Sequence, residues 1–221
     1  MMLDASMINL LLVGIWETLY MTIFSTFLSY VIGLPLGLIL VVTDKDGIRP
    51  IRGLNAVLGF IVNFLRSVPF IILLVALIPF TRFVVGTSLG STATVVPLVV
   101  GAAPFVARMV ESSIKEVDFG VIEAAQSMGA SPMQIVMKVL LPEARPSLLV
   151  GSAIAITTIL GYTAMAGFVG GGGLGAIAIN YGYYRYQSDV MLITVVILVI
   201  IVQLFQEIGM KIAKIGDKRI N

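Results

Sequence analysis

The chain has 221 residues, of which 58% are hydrophobic and 12% are charged, and its formal net charge is +2. Soluble domains average about 25% charged residues, so this composition predicts an integral membrane protein. The sequence contains neither cysteine nor histidine, which excludes disulfides, thiol nucleophiles and the commonest metal ligand. The basic residues occupy loop positions and form no patch with interleaved aromatics, which argues against a nucleic-acid partner.

A spanning helix needs about 20 largely apolar residues, and five segments meet this length. They lie at about 17–42, 54–80, 92–110, 148–169 and 190–209. We therefore predict an all-α membrane protein with five transmembrane helices, folded as a single transmembrane domain over residues 1–221. No part of the chain is left over for a soluble catalytic domain, and the residues predict no metal and no cofactor.

Two of these segments carry local features that predict packing. The first contains Gly33-Leu34-Pro35-Leu36-Gly37, in which the proline kinks a helix and the glycines allow a neighbouring helix to approach closely. The third ends with Arg108 and Glu111, which are three residues apart and can form an ion pair on one helix face.

The distribution of basic residues predicts the orientation. No Lys or Arg precedes Lys45, and Asp4 and Glu17 are acidic, so we expect the N-terminus outside and no cleaved signal peptide. Ten basic residues then fall in cytoplasmic segments: Lys45, Arg49, Arg52, Lys115, Lys138, Arg145, Lys211, Lys214, Lys218 and Arg219. Outer loops hold two, Arg82 and Arg185. The positive-inside rule thus places the loop 111–147 and the C-terminal tail in the cytoplasm.

The loop 111–147 is long, polar and helix-prone, so it must lie in water or on another protein. The spacing predicts a helix over Phe119–Met128, with four residues near one face: Val121, Ala124, Ala125 and Met128. Glu123 and Gln126 fall on the other side of that helix.

A second helix is predicted over 132–141. Gly129 suits the end of the first helix, Ser131-Pro132 suits the start of the second, and Pro142 is expected to stop it. From the residues alone, two interpretations remain open. The helix–turn–helix either docks a partner protein or rests as an amphipathic pair on lipid headgroups.

Seven positions in this loop resemble the EAA loop of ATP-driven importer permeases. They are Glu123, Ala124, Ala125, Gly129, Val139, Leu141 and Pro142, with valine at a position where isoleucine is commoner. The resemblance implies that these residues form a coupling helix that fits a cleft on an ATP-hydrolysing subunit. The chain contains no G-x-x-x-x-G-K-[ST] pattern, so we expect ATP hydrolysis on a separate subunit and no enzymatic activity here.

Further segments look like the methionine-import permease family: NFLRSVPFIILL, VPLVVGAAPFVARMVE, GVIEAAQSMGA and GGGGLGAIAINYGY. This resemblance implies a multi-pass protein of the bacterial inner (plasma) membrane that forms a homodimer. Two copies of an ATP-binding cassette subunit and an extracytoplasmic substrate-binding protein are the implied partners, besides membrane lipid. Methionine is the implied substrate, and another small amino acid or a methionine-containing peptide is the alternative.

The fourth span is the most polar of the five in its middle, where Thr157, Thr158, Gly161, Tyr162 and Met165 occur. Polar groups at that depth face protein or a water-filled path, so these residues are our candidates for a translocation pathway with Met165 as an apolar gate. Alternatively, the hydroxyls bond back to carbonyls of their own helix.

The glycines Gly170–Gly173 follow this span. They predict either a flexible outer turn or a close contact with a second copy or a binding protein.

Two other function classes are less compatible with the sequence. An intramembrane enzyme lacks support because His, Cys and the G-x-S-x-G pattern are absent. A passive channel explains the spans but gives no reason for the spacing of the EAA loop.

Overall fold

The computed structural model describes residues 5–216, and within them all regular structure is helical. The predicted outer Asp4 and the predicted cytoplasmic Lys218 and Arg219 lie outside the described residues. The α-helices are α1 (Ala5–Val42), α2 (Arg52–Ser67), α3 (Phe70–Ala76), α4 (Ile78–Val85), α5 (Ser91–Lys115), α6 (Phe119–Ser127), α7 (Pro132–Ile135), α8 (Leu141–Glu143), α9 (Arg145–Ala166), α10 (Gly173–Ile177) and α11 (Ser188–Gly216). Two π-helical segments, Val136–Leu140 and Ala178–Tyr183, follow α7 and α10, and a 3₁₀ turn, Gly167–Val169, follows α9.

The described residues contain four helical segments that are long and apolar enough to cross a membrane. They are Ala5–Val42, Ser91–Lys115, Arg145–Tyr183 and Ser188–Ile215. The bent pair of α2 and α3 supplies a fifth candidate if it counts as one span. The predicted all-α class with five spans is confirmed, on the condition that the second span is a broken helix.

Pro69 explains the break between α2 and α3. It has φ −55° and ψ 132°, an extended conformation, and it immediately precedes α3. Proline cannot donate a backbone hydrogen bond and it disfavours the helical conformation of the residue before it. The apolar run 54–80 therefore divides among α2, α3 and the start of α4.

Gly33 and Gly37 let α1 lie against α5. A Cβ atom on Gly33 would lie 2.8 Å from the Ala103 carbonyl oxygen, and one on Gly37 would lie 2.6 Å from the Ala107 carbonyl oxygen. No real side chain tolerates such distances, so only glycine fits at both positions. The predicted close approach of a neighbouring helix is confirmed, and Pro35 lies within the continuous α1.

The chain divides into two compact units. The first comprises the chain up to Leu28, Val68–Ala102 and Ile156–Gln206. Its buried apolar residues form two clusters, one around Leu160 and Leu174 and the other around Met21 and Leu98.

The second unit comprises Ser29–Ser67, Ala103–Ala155 and the chain from Glu207 onward. Its larger cluster joins the end of α5, at Val110 and Ile114, to residues that follow α6, at Ile135 and Leu140. The core of this unit thus holds the loop 111–147 firmly on α5.

Candidate functional site

Capping groups fix both ends of α6. The Asp118 carboxylate accepts a hydrogen bond from the Gly120 N–H at 2.7 Å, which is a standard N-cap. At the other end Gly129 has φ +75°, and Gly129 and Ala130 donate to the carbonyls of Gln126 and Ala125. This is a Schellman motif, which requires a left-handed residue at the position of Gly129. The predicted break at Gly129 is confirmed.

The second helix of the loop begins as predicted and ends differently. Ser131 and Gln134 form a reciprocal capping box, and Pro132 occupies the first turn of α7. The expected stop before Pro142 is wrong, because the chain continues through the π-helical segment into α8, which contains that proline. The wider π turn shifts the backbone hydrogen bonds, so that the Leu141 N–H reaches the Val136 carbonyl and the proline is accommodated.

One side of α6 packs within the second unit. Ala125 is 5% exposed and packs in the core together with the half-buried Ile122. Val121 and Met128, which we expected beside Ala125, are 44% and 82% exposed. The tertiary contacts thus cover Ile122 and leave its neighbour Val121 exposed.

The seven EAA positions divide into packed and exposed residues. Ala125 is buried, and Val139 and Leu141 are half-buried against the core of the second unit. The remaining four are exposed: Glu123, Ala124, Gly129 and Pro142. The loop therefore presents an acid and a small side chain next to each other on a surface.

Large apolar side chains in the same stretch of the chain are also exposed. Phe119 is 62% exposed, Met128 82%, Met133 69% and Met137 57%. We call these four residues together with Glu123 and Ala124 the α6–α7 surface. Flexible methionines beside small residues are common at protein-binding surfaces, because they adapt to the shape of a partner.

A network of charges anchors the end of α5, just before this surface. The Lys115 ammonium group lies 2.8 Å from Asp44 and 2.9 Å from Glu111. Glu111 also pairs with Arg108, as the sequence predicted, and Arg108 donates to the Asn63 side-chain oxygen at 2.8 Å. The hydrogen bond from Lys115 lowers the pKa of the Asp44 carboxyl below its ordinary value. The network ties the loop after α1 and the helix α2 to α5.

The candidate pathway residues lie on more than one face of α9. Gly161 and Met165 are exposed, and Thr158, one turn earlier, is half-buried. Tyr162 faces the core of the first unit, where its ring stacks on Phe70 with centroids 4.1 Å apart.

All three threonines of this helix take part in interactions. Thr157 and Thr158 are both engaged in interactions, and the neighbouring Thr163 donates to the Leu160 carbonyl at 2.7 Å. The alternative interpretation, bonding within the helix, thus applies to Thr163.

The glycine-rich turn before α10 is held by the first unit. The Gly173 N–H donates to the Glu17 carboxylate at 2.6 Å, and the Leu174 N–H donates to the Thr18 hydroxyl at 2.9 Å. At its other end the Gly170 carbonyl accepts from the Gly90 N–H at 2.9 Å. These bonds contradict the flexible turn. No local pattern predicts these bonds, because Glu17 and Gly173 are 156 residues apart.

Comparisons with known proteins agree with this arrangement. The sequence profile of the family described as "Binding-protein-dependent transport system inner membrane component" matches residues 33–220. The "D-methionine transport system permease protein MetI" of Escherichia coli is 55% identical over 161 residues, which cover 73% of this chain and 74% of that protein. A relative from Vibrio cholerae, named "Probable D-methionine transport system permease protein MetI", is 51% identical over 96% of this chain and 94% of its own length.

Solved structures show the same fold. A chain of the inward-facing MetNI methionine ABC transporter superposes with a TM-score of 0.96 at 52% identity, covering 97% of this chain and 100% of that chain. A chain of an amino acid ABC transporter superposes with a TM-score of 0.73 at 22% identity, a likeness of fold alone. The chain belongs to the family of inner-membrane components of binding-protein-dependent transport systems.

Proposed function

We propose that this protein is the permease subunit of an ATP-driven methionine importer. It forms the translocation pathway and couples ATP hydrolysis on a separate subunit to alternating access of that pathway. One observation carries the proposal. The α6–α7 surface, which includes Glu123, is exposed in a chain that is 51% identical over 96% of its length to a probable D-methionine permease.

The α6–α7 surface is suited to transmit force. Ala125 fixes α6 to the core of the second unit, and Ile135 and Leu140 fix the following turns to the same cluster. That cluster includes Val110 and Ile114 of α5, so a push on α6 displaces the end of a membrane-spanning helix. A docked ATPase subunit moves α6 when ATP closes its two copies on each other, and the motion reaches the membrane as a rigid displacement.

The orientation follows from the coupling role. The loop 111–147 and the C-terminal end face the cytoplasm, where ATP is available, and the N-terminus lies outside. An extracytoplasmic binding protein delivers the substrate on the outer side. The exposed residues of α9, above all Gly161 and Met165, line the pathway between two copies of the chain related by a two-fold axis. Thr158 lies one turn away, and Tyr162 supports this helix through its stack on Phe70.

Accessibility to water tests the pathway. Single cysteines at 158, 161 and 165 are expected to react with aqueous thiol reagents in at least one nucleotide state, since a pathway must admit water. A cysteine at 163, where the native threonine is 1% exposed, is the matched control and should stay unreactive. Equal protection of all four positions in every nucleotide state would refute the pathway.

The coupling surface is tested with a matched pair of substitutions. Ala125→Leu forces a large side chain into a site that is 5% exposed and should destabilise the protein by about 1–3 kcal/mol. Ala124→Leu adds the same atoms on the exposed side of α6, so it should leave the melting temperature unchanged and weaken co-purification of the ATPase subunit. If Ala124→Leu retained full ATPase binding and full uptake, the surface would not be the docking site.

Charge reversal at Glu123 gives a second test. Glu123→Arg should leave the protein inserted in the membrane while uncoupling ATP hydrolysis from uptake or weakening docking. Wild-type uptake together with wild-type stimulation of ATPase activity would contradict the coupling role. Glu116→Arg, a reversal at an exposed acid outside the α6–α7 surface, controls for net charge.

The substrate is tested by reconstitution. Proteoliposomes that hold the permease, its ATPase and its binding protein should take up labelled L-methionine only with ATP, and unlabelled D- or L-methionine should compete. Competition by other amino acids or by dipeptides would keep the importer and replace the substrate. ATP hydrolysis without any methionine uptake would refute methionine as the substrate.

A further inference from the structure

Arg108 is a charged residue within a helix that is long and apolar enough to cross a membrane. It lies two turns before the end of α5 at Lys115, a depth of about 10 Å along the helix. Its side chain is 25% exposed, and the side chain of its partner Glu111 is 12% exposed. Charged groups at such a depth are costly in a membrane, so a pair of them is a candidate for a functional role.

The guanidinium of Arg108 holds one face of α2. Its Nη1 pairs with Glu111 on the same helix, and its Nη2 donates to the Asn63 side-chain oxygen at 2.8 Å and to the Gly59 carbonyl at 3.4 Å. Gly59 and Asn63 are one turn apart on α2, so the two acceptors lie on the same side of that helix. A Cβ atom on Gly59 would lie 3.8 Å from the same nitrogen, so the guanidinium lies over this small residue.

Apolar packing alone holds α2 weakly. Among residues 52–67, Val62 is the one buried side chain, and it belongs to a small cluster with Leu40 and Ala107. The aromatic side chains of α2 are exposed, Phe60 by 70% and Phe64 by 60%. The contact with Arg108 is therefore a substantial part of what fixes α2 on α5.

The last turns of α5 join this contact to the coupling loop. The carboxylate of Glu111 uses one oxygen for Arg108 and the other for Lys115, which lies 2.9 Å away. Val110 and Ile114 of the same turns belong to the buried cluster that also holds Ala125 of α6. A displacement of α6 that reaches the end of α5 therefore meets α2 at Arg108.

Stability alone is a poor explanation for a guanidinium at this position. The Nε of Arg108 is buried and finds no acceptor among residues 5–216, which costs free energy. Buried ion pairs are in general no more stabilising than apolar side chains of similar volume. A guanidinium differs from an apolar side chain in that its planar set of donors fixes the direction from which an acceptor approaches.

We propose that Arg108 is a positioning residue that makes α2 follow the end of α5 when the ATPase subunit moves α6. Asn63 is its contact point on α2. The inference rests on the proposed coupling role of the α6–α7 surface. It adds that α2 and the last turns of α5 move as one body through this polar contact.

The contact is tested by Asn63→Ala, which removes the acceptor side chain on α2 and leaves the pair of Arg108 with Glu111 in place. Ser67→Ala is the matched control. Ser67 is exposed on the same helix, and its hydroxyl donates to the Asn63 backbone carbonyl within α2. Asn63→Asp keeps an acceptor oxygen at the same position and serves as the rescue.

Spin labels on the substitutions Phe60→Cys and Ser112→Cys report the distance between α2 and α5. Both positions are exposed, and the chain has no native cysteine. The permease is assembled with its ATPase in nanodiscs, and labelled copies are diluted with unlabelled ones so that distances within one copy are measured. Uptake of methionine per ATP hydrolysed is measured on the same variants in proteoliposomes with the binding protein.

With native Asn63, the distance between the labels should be the same without nucleotide and with ATP. Asn63→Ala should broaden the distance distribution, make it depend on ATP and lower uptake per ATP severalfold. Asn63→Asp should restore the narrow distribution and the uptake, and Ser67→Ala should change neither quantity.

Two results would overturn the proposal and leave the coupling role intact. The first is a distance that shifts with ATP while Asn63 is native, because α2 then moves independently of α5. The second is a lower melting temperature of Asn63→Ala with unchanged distance and unchanged uptake per ATP, because the contact is then structural only. Failure of the ATPase subunit to co-purify with the unsubstituted permease would instead refute the coupling role and this inference with it.

Discussion

Replacing Gly37 by alanine should destabilise this protein although alanine is the better helix former. The added Cβ would lie 2.6 Å from the Ala107 carbonyl oxygen and 2.7 Å from the Val110 Cβ, so α1 and α5 must separate locally. Overpacking of this kind costs about 1–3 kcal/mol. The gain in helix propensity offsets about 1 kcal/mol at most. With the middle of the overpacking range, about 2 kcal/mol, and the full offset, we expect a net loss of about 1 kcal/mol and a melting temperature that is lower by roughly 2–4 °C.

Gly53→Ala is the matched control, because Gly53 also lies in a helix and nothing comes within 4 Å of its Cβ position. Here only the propensity gain remains, and the melting temperature should stay constant or rise. The assay is thermal unfolding of the purified permease in detergent, followed by intrinsic fluorescence of Trp16 and the tyrosines. If Gly37→Ala melts at or above the wild-type temperature, the added Cβ does not force α1 and α5 apart, and the reasoning from their close contact is wrong.

Two further predictions concern single polar contacts. Glu17→Gln keeps the shape of the side chain but removes the negative charge of the carboxylate that accepts the hydrogen bond from the Gly173 N–H. The melting temperature should therefore fall by an amount equivalent to about 1 kcal/mol. An unchanged melting temperature would show that the charge of Glu17 contributes nothing to stability. Asp44→Asn removes the ion pair with Lys115. Because this ion pair lowers the pKa of Asp44 in the folded protein, its stabilisation is present above the ordinary pKa of 3.8 and is lost as the pH falls through the lower pKa of the folded state. The difference in melting temperature between wild type and Asp44→Asn should thus shrink below pH 3.8. Asp46→Asn, at a side chain that is 84% exposed, is the control and should show no difference from wild type at any pH. A difference for Asp44→Asn that grew in acid would contradict a stabilising ion pair between Asp44 and Lys115.

The features that the sequence predicted depend on residues close together in the chain. Apolar runs of about 20 residues located the spans, Gly129 marked the end of α6, and Ser131-Pro132 marked the start of α7. The pair of Arg108 and Glu111 was visible for the same reason, since three residues separate them on one helix. Each of these signals is local, and local propensities and caps act before any tertiary contact is made.

The features that the sequence did not predict depend on tertiary contacts. Asp44 meets Lys115 only because α1 and α5 run side by side through their glycine contacts, and nothing near either residue indicates the other. The sequence does not tell which side of α6 is covered, because Ile122 and Val121 are equally apolar and only the core of the second unit decides between them. The helical path through Pro142 depends on a π turn, which has no recognisable sequence pattern.

The division of the EAA positions into packed and exposed residues has a consequence for how substitutions there act. Ala125 and Leu141 pack in the core, so we expect their replacement to lower the stability of the second unit. Glu123 and Ala124 are exposed, so we expect their replacement to leave the melting temperature unchanged and to weaken docking of the ATPase subunit. A loss of uptake at all four positions would look identical in a transport assay, whereas melting temperature and ATPase co-purification separate the two groups. The short spacing that identifies the loop thus combines residues that hold a helix in place with exposed residues that we propose contact a partner.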